Sequence, residues 1–91
     1  MTHKHESLTN LVFALFRTQN LAPQKHLVYA HGEMDVLCKD VYYEVKCNYT
    51  DKQVVKALSQ IDRAIRYGQC NQGYLVTAQG VFDILGNGNK L

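Results

Sequence analysis

The stretch from Thr50 to Gly68 constrains this chain most, because it reads as a helix with both ends marked and with strand-like apolar runs on either side. Thr50-Asp51-Lys52-Gln53 fits a capping box, in which the Thr50 hydroxyl accepts from the amide of Gln53 while the Gln53 side chain reaches back. Val54, Leu58, Ile61 and Ile65, with Ala57 and Ala64 alongside, form one apolar stripe, and Gly68 is placed to end the helix in a left-handed conformation. From Lys25 to Cys47 the chain turns to Val, Tyr, Leu and Cys, interrupted at His31-Gly32 and at Lys39-Asp40, which predicts three strands in a meander. After the helix, Gly73 to Thr77 predicts a fourth strand, and Val81 to Leu85 is either a fifth strand or a last turn of helix. An earlier amphipathic helix runs from Glu6 to Thr18, with Leu8, Leu11, Val12, Ala14, Leu15 and Phe16 at helical spacings, and Asn20-Leu21-Ala22-Pro23 ends it. Helix, three strands, helix and one or two strands make a mixed α/β domain, a sheet of four to five strands flanked by helices.

Ninety-one residues supply one hydrophobic core and no second one, so the chain is read as a single domain with short mobile ends at 1–5 and 86–91. No run approaches the length of apolar sequence that a membrane span needs, and the polar start Met1-Thr2-His3-Lys4-His5 lacks the apolar stretch of a secretory signal; the expected compartment is the cytoplasm, with no membrane partner. Three widely spaced cysteines, Cys38, Cys47 and Cys70, read as reduced thiols. A formal net charge of +2 permits nucleic-acid binding without demanding it, so any partner has to be argued from particular residues.

Those residues lie between Glu33 and Cys47. A hairpin turning at Lys39-Asp40 sets Cys38 opposite Val41, Leu37 opposite Tyr42, Val36 opposite Tyr43, Asp35 opposite Glu44 and Glu33 opposite Lys46. Alternation then gives a core face of Met34, Val36, Cys38, Val41, Tyr43, Val45 and Cys47, and a second face of Glu33, Asp35, Leu37, Tyr42, Glu44 and Lys46. Two carboxylates directly opposite one another destabilise a sheet unless something offsets their charge. A hard divalent cation does so: Mg²⁺ takes one or two carboxylates, keeps waters and bridges to phosphate. Lys46 projects to the same face, where an ammonium stabilises charge developing on a phosphoryl group, so the set suits phosphodiester hydrolysis.

Met34-Asp35, eight residues, then Glu44-Val45-Lys46 resembles the signature of the PD-(D/E)XK nuclease superfamily, and the order of elements over residues 6 to 77 is similar to its restriction-endonuclease-like core. In size the chain is most similar to archaeal-type Holliday junction resolvases and compact viral and phage nucleases. The resemblance implies a Mg²⁺-dependent DNA endonuclease, with Mn²⁺ able to substitute. It implies metal ligation by Asp35, Glu44 and the main-chain carbonyl of Val45, catalysis by Asp35, Glu44 and Lys46, and an additional ligand from an acid in the first helix, where Glu6 stands. Met34 stands where the family's name has Pro, and Ala64 stands where the Gln-x-x-x-Tyr branch would follow Gln60 with Tyr, which separates the chain from that branch.

Around this centre, Gln53, Lys56, Gln60 and Arg63 form a polar stripe on one side of the second helix and read either as a phosphate-binding wall or as a solvated face. His31, beside Gly32, reads as a phosphate contact or a turn residue, and Tyr42 as a ring for stacking on a base or sugar. Glu33 is an alternative ligand to Asp35 or the ion-pair partner of Lys46, and His3 with His5 are a metal pair or a disordered terminus. A domain this small grips DNA over a limited surface, which favours a homodimer. The rival readings are a DNA-binding module that keeps the nuclease fold without catalysis, and a structural protein with a solvated acid face.

Overall fold

The computed structural model describes residues 3–19, 21–29 and 32–91, with side chains described at 5–19, 21–26 and 33–91. Among the described residues, two helices, α1 (His3–Thr18) and α2 (Asp51–Arg66), accompany five strands: β1 (Gln24–Tyr29), β2 (Gly32–Cys38), β3 (Val41–Val45), β4 (Gln72–Thr77) and β5 (Gly80–Phe82). They form one mixed sheet in the order β1-β2-β3-β4-β5. The first three strands are an antiparallel meander; α2 carries the chain over so that β4 runs parallel to β3, and β5 returns antiparallel. The stretch from Val81 to Leu85 thus begins as a short fifth strand. Among the described residues no helix is long and apolar enough to cross a membrane.

The ends of α2 follow from its sequence. Thr50 is extended and its hydroxyl accepts from the Gln53 amide at 3.2 Å, while Gly68, at φ 75, turns the chain out of the helix. The helix seats closely on β4 because Gly73 has no side chain; a Cβ there would overlap Ile61.

The hairpin register holds for three pairs, Cys38↔Val41, Leu37↔Tyr42 and Val36↔Tyr43. What the alternation does not reveal is that both faces are core. On one, Val36, Val45 and Val76 meet Val12 of α1, with Leu8 and Phe16 packed beside them. On the other, Tyr42 and Leu75 meet Ala57, Ile61 and Ala64 of α2. The face that carries the acids, read as the one outside the core, is therefore roofed by a helix, as in sheets with a crossover connection. Met34 also departs from strict alternation, clustering with Tyr42 rather than with Val36 two residues along. Helix α1 begins at His3, a turn earlier than its periodicity indicates, and leaves Leu11 and Leu15 exposed.

The two-residue turn has both positions in the left-handed region, Lys39 at φ 51 and Asp40 at φ 64, the geometry of a type I′ hairpin, which favours Asn-Gly. Replacing Lys39-Asp40 by Asn-Gly is expected to raise unfolding free energy by about 1 kcal/mol, since each non-glycine residue there costs on that scale. Urea denaturation checks it, and an unchanged midpoint would mean that the turn is unstrained.

The Gly86-Asn87-Gly88-Asn89 segment, expected to be mobile, is written into turns: the Gly88 amide donates to the Asp83 carbonyl at 2.8 Å and the Asp83 amide to the Asn89 carbonyl at 3.0 Å. A single bridge then joins Phe82 to Lys90.

Candidate metal and phosphate site

The two hairpin strands part where the acids lie. Ladder pairing ends at Val36↔Tyr43, and the next opposed positions would be Asp35 and Glu44. Here Asp35 Oδ2 instead accepts from the main-chain amide of Val45 at 2.9 Å, so a side-chain oxygen takes the place of a strand carbonyl. That bond fixes the Asp35 carboxylate beside Glu44.

Glu44 is 3% exposed. The Tyr42 hydroxyl donates to its Oε1, and the Lys46 ammonium lies 3.1 Å from its Oε2. A lysine at that distance ordinarily holds a carboxyl down. Burial, and after it the charge of Asp35, outweigh both Lys46 and the Tyr42 hydroxyl, and the Glu44 carboxyl is pushed up to about 8. Removing water from a carboxylate costs several kcal/mol, which one half-buried ammonium does not return. The site thus holds two acids that resist being charged together, the electrostatic condition that a divalent cation relieves.

The chemistry of this donor set fits Mg²⁺, which is satisfied by one or two carboxylates plus waters. Among the described residues no three His, Cys, Asp or Glu side chains converge on one point, so the protein's share of such a site is the Asp35–Glu44 pair. Val45, whose carbonyl the family resemblance assigns as a ligand, contributes its amide to Asp35, and its side chain is fully buried.

Other residues named from sequence fall elsewhere. Glu6 is exposed and faces His26, with Oε1 3.9 Å from His26 Nε2; the α1 residue that reaches the pair is His5, whose Nε2 is 3.5 Å from Asp35 Oδ2. Glu33 does not pair with Lys46 but lies 3.8 Å from His26 Nδ1. Tyr42 is fully buried, so its ring offers no face for stacking, and its hydroxyl positions Glu44. His31 lies outside the described residues. Along α2, Lys56 and Arg63 are exposed, whereas Gln53 and Gln60 are half-buried at the flank of the apolar stripe; Gln60 Oε1 is buried without a described hydrogen-bond partner.

Sequence reasoning weighed His5 only as a pair with His3 or as a disordered terminus and missed its place beside Asp35, and it missed His26 altogether. His5 was legible: it precedes Thr9, Val12 and Phe16 by four, seven and eleven residues, so extending the buried stripe of α1 back one turn leads to it and passes Glu6 by. His26 had no signal, since its place between Glu6 and Glu33 depends on a left-handed backbone, φ 53, inside β1.

Comparison of the chain with protein-family models, with curated proteins and with solved structures finds no match.

Proposed function

We propose that this chain is a metal-dependent DNA endonuclease built on a restriction-endonuclease-like core and hydrolysing phosphodiester bonds, with a structure-selective, Holliday junction resolvase-like preference. The observation that carries the reading is the buried Asp35–Glu44 pair with the Lys46 ammonium 3.1 Å from Glu44, at the point where the two strands of a hairpin separate. Like charges held together out of water are costly, and binding a cation between them offsets the cost. The α-β-β-β-α-β order, with β3 and β4 parallel across α2, supports the fold assignment.

In this reading Asp35 and Glu44 hold the cation, with the Val45 amide orienting the first and the Tyr42 hydroxyl the second. When bound, a divalent ion supplies Lewis-acid charge that activates water and neutralises the phosphoryl oxygens. Lys46, on the same strand two residues beyond Glu44, presents an ammonium to the developing negative charge of the phosphate. Lys56 and Arg63, exposed along α2, supply sequence-independent phosphate contacts. The compartment is the cytoplasm, or the host cytoplasm for a viral chain, and the small grip of one domain is offset by pairing two copies.

The test is a panel of labelled DNAs, comprising a four-way junction, a flap, a single strand and a plain duplex, each incubated with the protein in Mg²⁺ and in EDTA. Cleavage in Mg²⁺ and none in EDTA is the expected result. Binding without cleavage in either condition would replace the proposal with the non-catalytic module, and the absence of both would leave only a structural role.

A further inference from the structure

The inference deepens the reading of the chain as a DNA endonuclease, and rests on it for the choice of DNA as the anionic partner. We propose that the seam between α1 and β1 binds the unpaired strand of the substrate, one base lying on the Phe13 ring and the neighbouring phosphates on Lys25 and Arg17. Glu6, Asn10, Phe13 and Arg17 follow one another at spacings of four, three and four residues, so they form one strip of α1. The strip lies against the start of β1, where Lys25 Nζ donates to Asn10 Oδ1 at 2.8 Å and stands 4.7 Å from the centroid of the half-buried Phe13 ring. Arg17 Cζ is 5.9 Å from the same centroid. Both cations are exposed, and neither has a carboxylate partner among the described residues; the acid of the strip, Glu6, faces His26 instead. Two uncompensated cations beside one aromatic ring are complementary to a partner that carries both negative charge and flat rings.

A cavity of about 260 Å³ opens beside the ring, lined by Phe13, Ala14, Arg17 and Thr18. Pockets that enclose a small molecule run from roughly 300 to 1,000 Å³, so this one suits a single flat ring laid against the helix. A base stacked on phenylalanine is held more strongly than an exposed cation over the same ring, and Lys25 and Arg17 are then released to the flanking phosphates. A duplex keeps its bases stacked on one another and offers the ring no face, so the seam selects an unpaired strand. Its place relative to the acids is fixed by α1. His5 lies 3.5 Å from Asp35, and eight further residues at a rise of about 1.5 Å set Phe13 about 12 Å along the helix axis. A strand at about 3.4 Å per nucleotide covers that distance in three or four nucleotides. Lys56 and Arg63 belong to α2, which packs on the opposite face of the sheet, so a branched DNA has separate surfaces for its duplex and its unpaired arm. The exposed Leu11 and Leu15 lie on the other flank of α1 and are not part of the strip.

Wild type, Phe13→Leu, Phe13→Tyr and the double variant Arg17→Gln, Lys25→Gln are titrated in EDTA, which prevents cleavage, against a labelled oligothymidylate of about twelve nucleotides and a duplex of the same length, with fluorescence anisotropy as the readout. Phe13→Leu is expected to lose about tenfold in affinity for the single strand and less than about threefold for the duplex, with its salt dependence unchanged. Phe13→Tyr, which keeps an aromatic face, should bind the strand within about twofold of wild type. The double variant, whose exposed positions leave the core intact, should lower the salt slope for the strand by about 1.4, at about 0.7 for each phosphate. A wild type that does not bind the strand, a Phe13→Leu protein that binds it as wild type does or loses the duplex equally, a Phe13→Tyr protein no better than Phe13→Leu, or a double variant with the wild-type slope overturns the seam. If wild type nonetheless cleaves DNA in Mg²⁺, the endonuclease stands without it. A wild type that holds the strand through Phe13 and cleaves nothing in Mg²⁺ keeps the seam and removes the endonuclease. Capture by phosphatidylserine vesicles in place of the oligothymidylate would give the surface to a membrane and overturn the proposal.

Discussion

Glu44→Gln is expected to be more stable than wild type at pH 8, by about 2–4 kcal/mol, and no more stable at pH 4.5. The sign follows from linkage. Glu44 keeps its proton in the folded protein up to about pH 8, whereas in the unfolded chain it ionises near its ordinary 4.5. Between those values the folded state binds more protons than the unfolded one, so this group's contribution is complete below pH 4.5 and is lost as pH rises toward 8. Each unit of difference is worth ~1.36 kcal/mol, and the full shift gives an upper bound from which the lost Lys46 contact is subtracted. Glutamine keeps an acceptor for the Tyr42 hydroxyl and has no proton to lose. Guanidinium unfolding in EDTA at pH 5, 6.5 and 8 is the measurement. Parallel stability curves for the two proteins would show that Glu44 is ionised in the fold.

Lys46→Ala should reduce cleavage by about 10²–10³-fold while changing DNA affinity less than threefold, the scale seen when one preorganised charge-stabilising donor is removed. Its backbone amide, which donates to the Val76 carbonyl at 2.9 Å, is retained, so the β3–β4 junction is unaffected. Loss of the ammonium also removes one of the two influences that hold the Glu44 carboxyl down, so that carboxyl rises further and the variant's stability should go on falling to a higher pH than that of wild type. Single-turnover cleavage and fluorescence anisotropy separate the two effects. Turnover within tenfold of wild type would take Lys46 out of the reaction.

Much of this architecture was legible because its signals are local. The Thr50 cap, the stripe of α2 and the Lys39-Asp40 turn each lie within a few residues, and each appears where its chemistry requires it. The hairpin register followed from the turn. Burial was not legible in the same way, because it depends on what arrives from a distance. Tyr42 looked available on an acid face, yet α2 lies over that face and Tyr42 is buried with Ala57 and Ile61. Burial likewise drives Glu44 upward, so the acid pair could be read from the hairpin but its electrostatics could not. The C-terminal turns were hidden by composition: Gly86-Asn87-Gly88-Asn89 has the residues of a flexible tail although its amides are engaged with Asp83 and Asn87.

A sheet of five strands has two rims, and an exposed row of unpaired amides and carbonyls at a rim is a template on which other chains add. Here the rims are blunted in different ways. Beside β5 the returning chain supplies a partner, through the bridge from Phe82 to Lys90 and the Leu91 amide donating to the Val81 carbonyl at 2.7 Å. At β1 the backbone itself refuses a flat neighbour: His26 is left-handed in mid-strand, Pro23 stands just before the strand, and the exposed Lys25 brings a charge to the rim. A left-handed residue twists an edge as a bulge does and spoils the register of any incoming strand. Strands rich in Val and Tyr can therefore sit at the middle of a small sheet without seeding fibres from its borders.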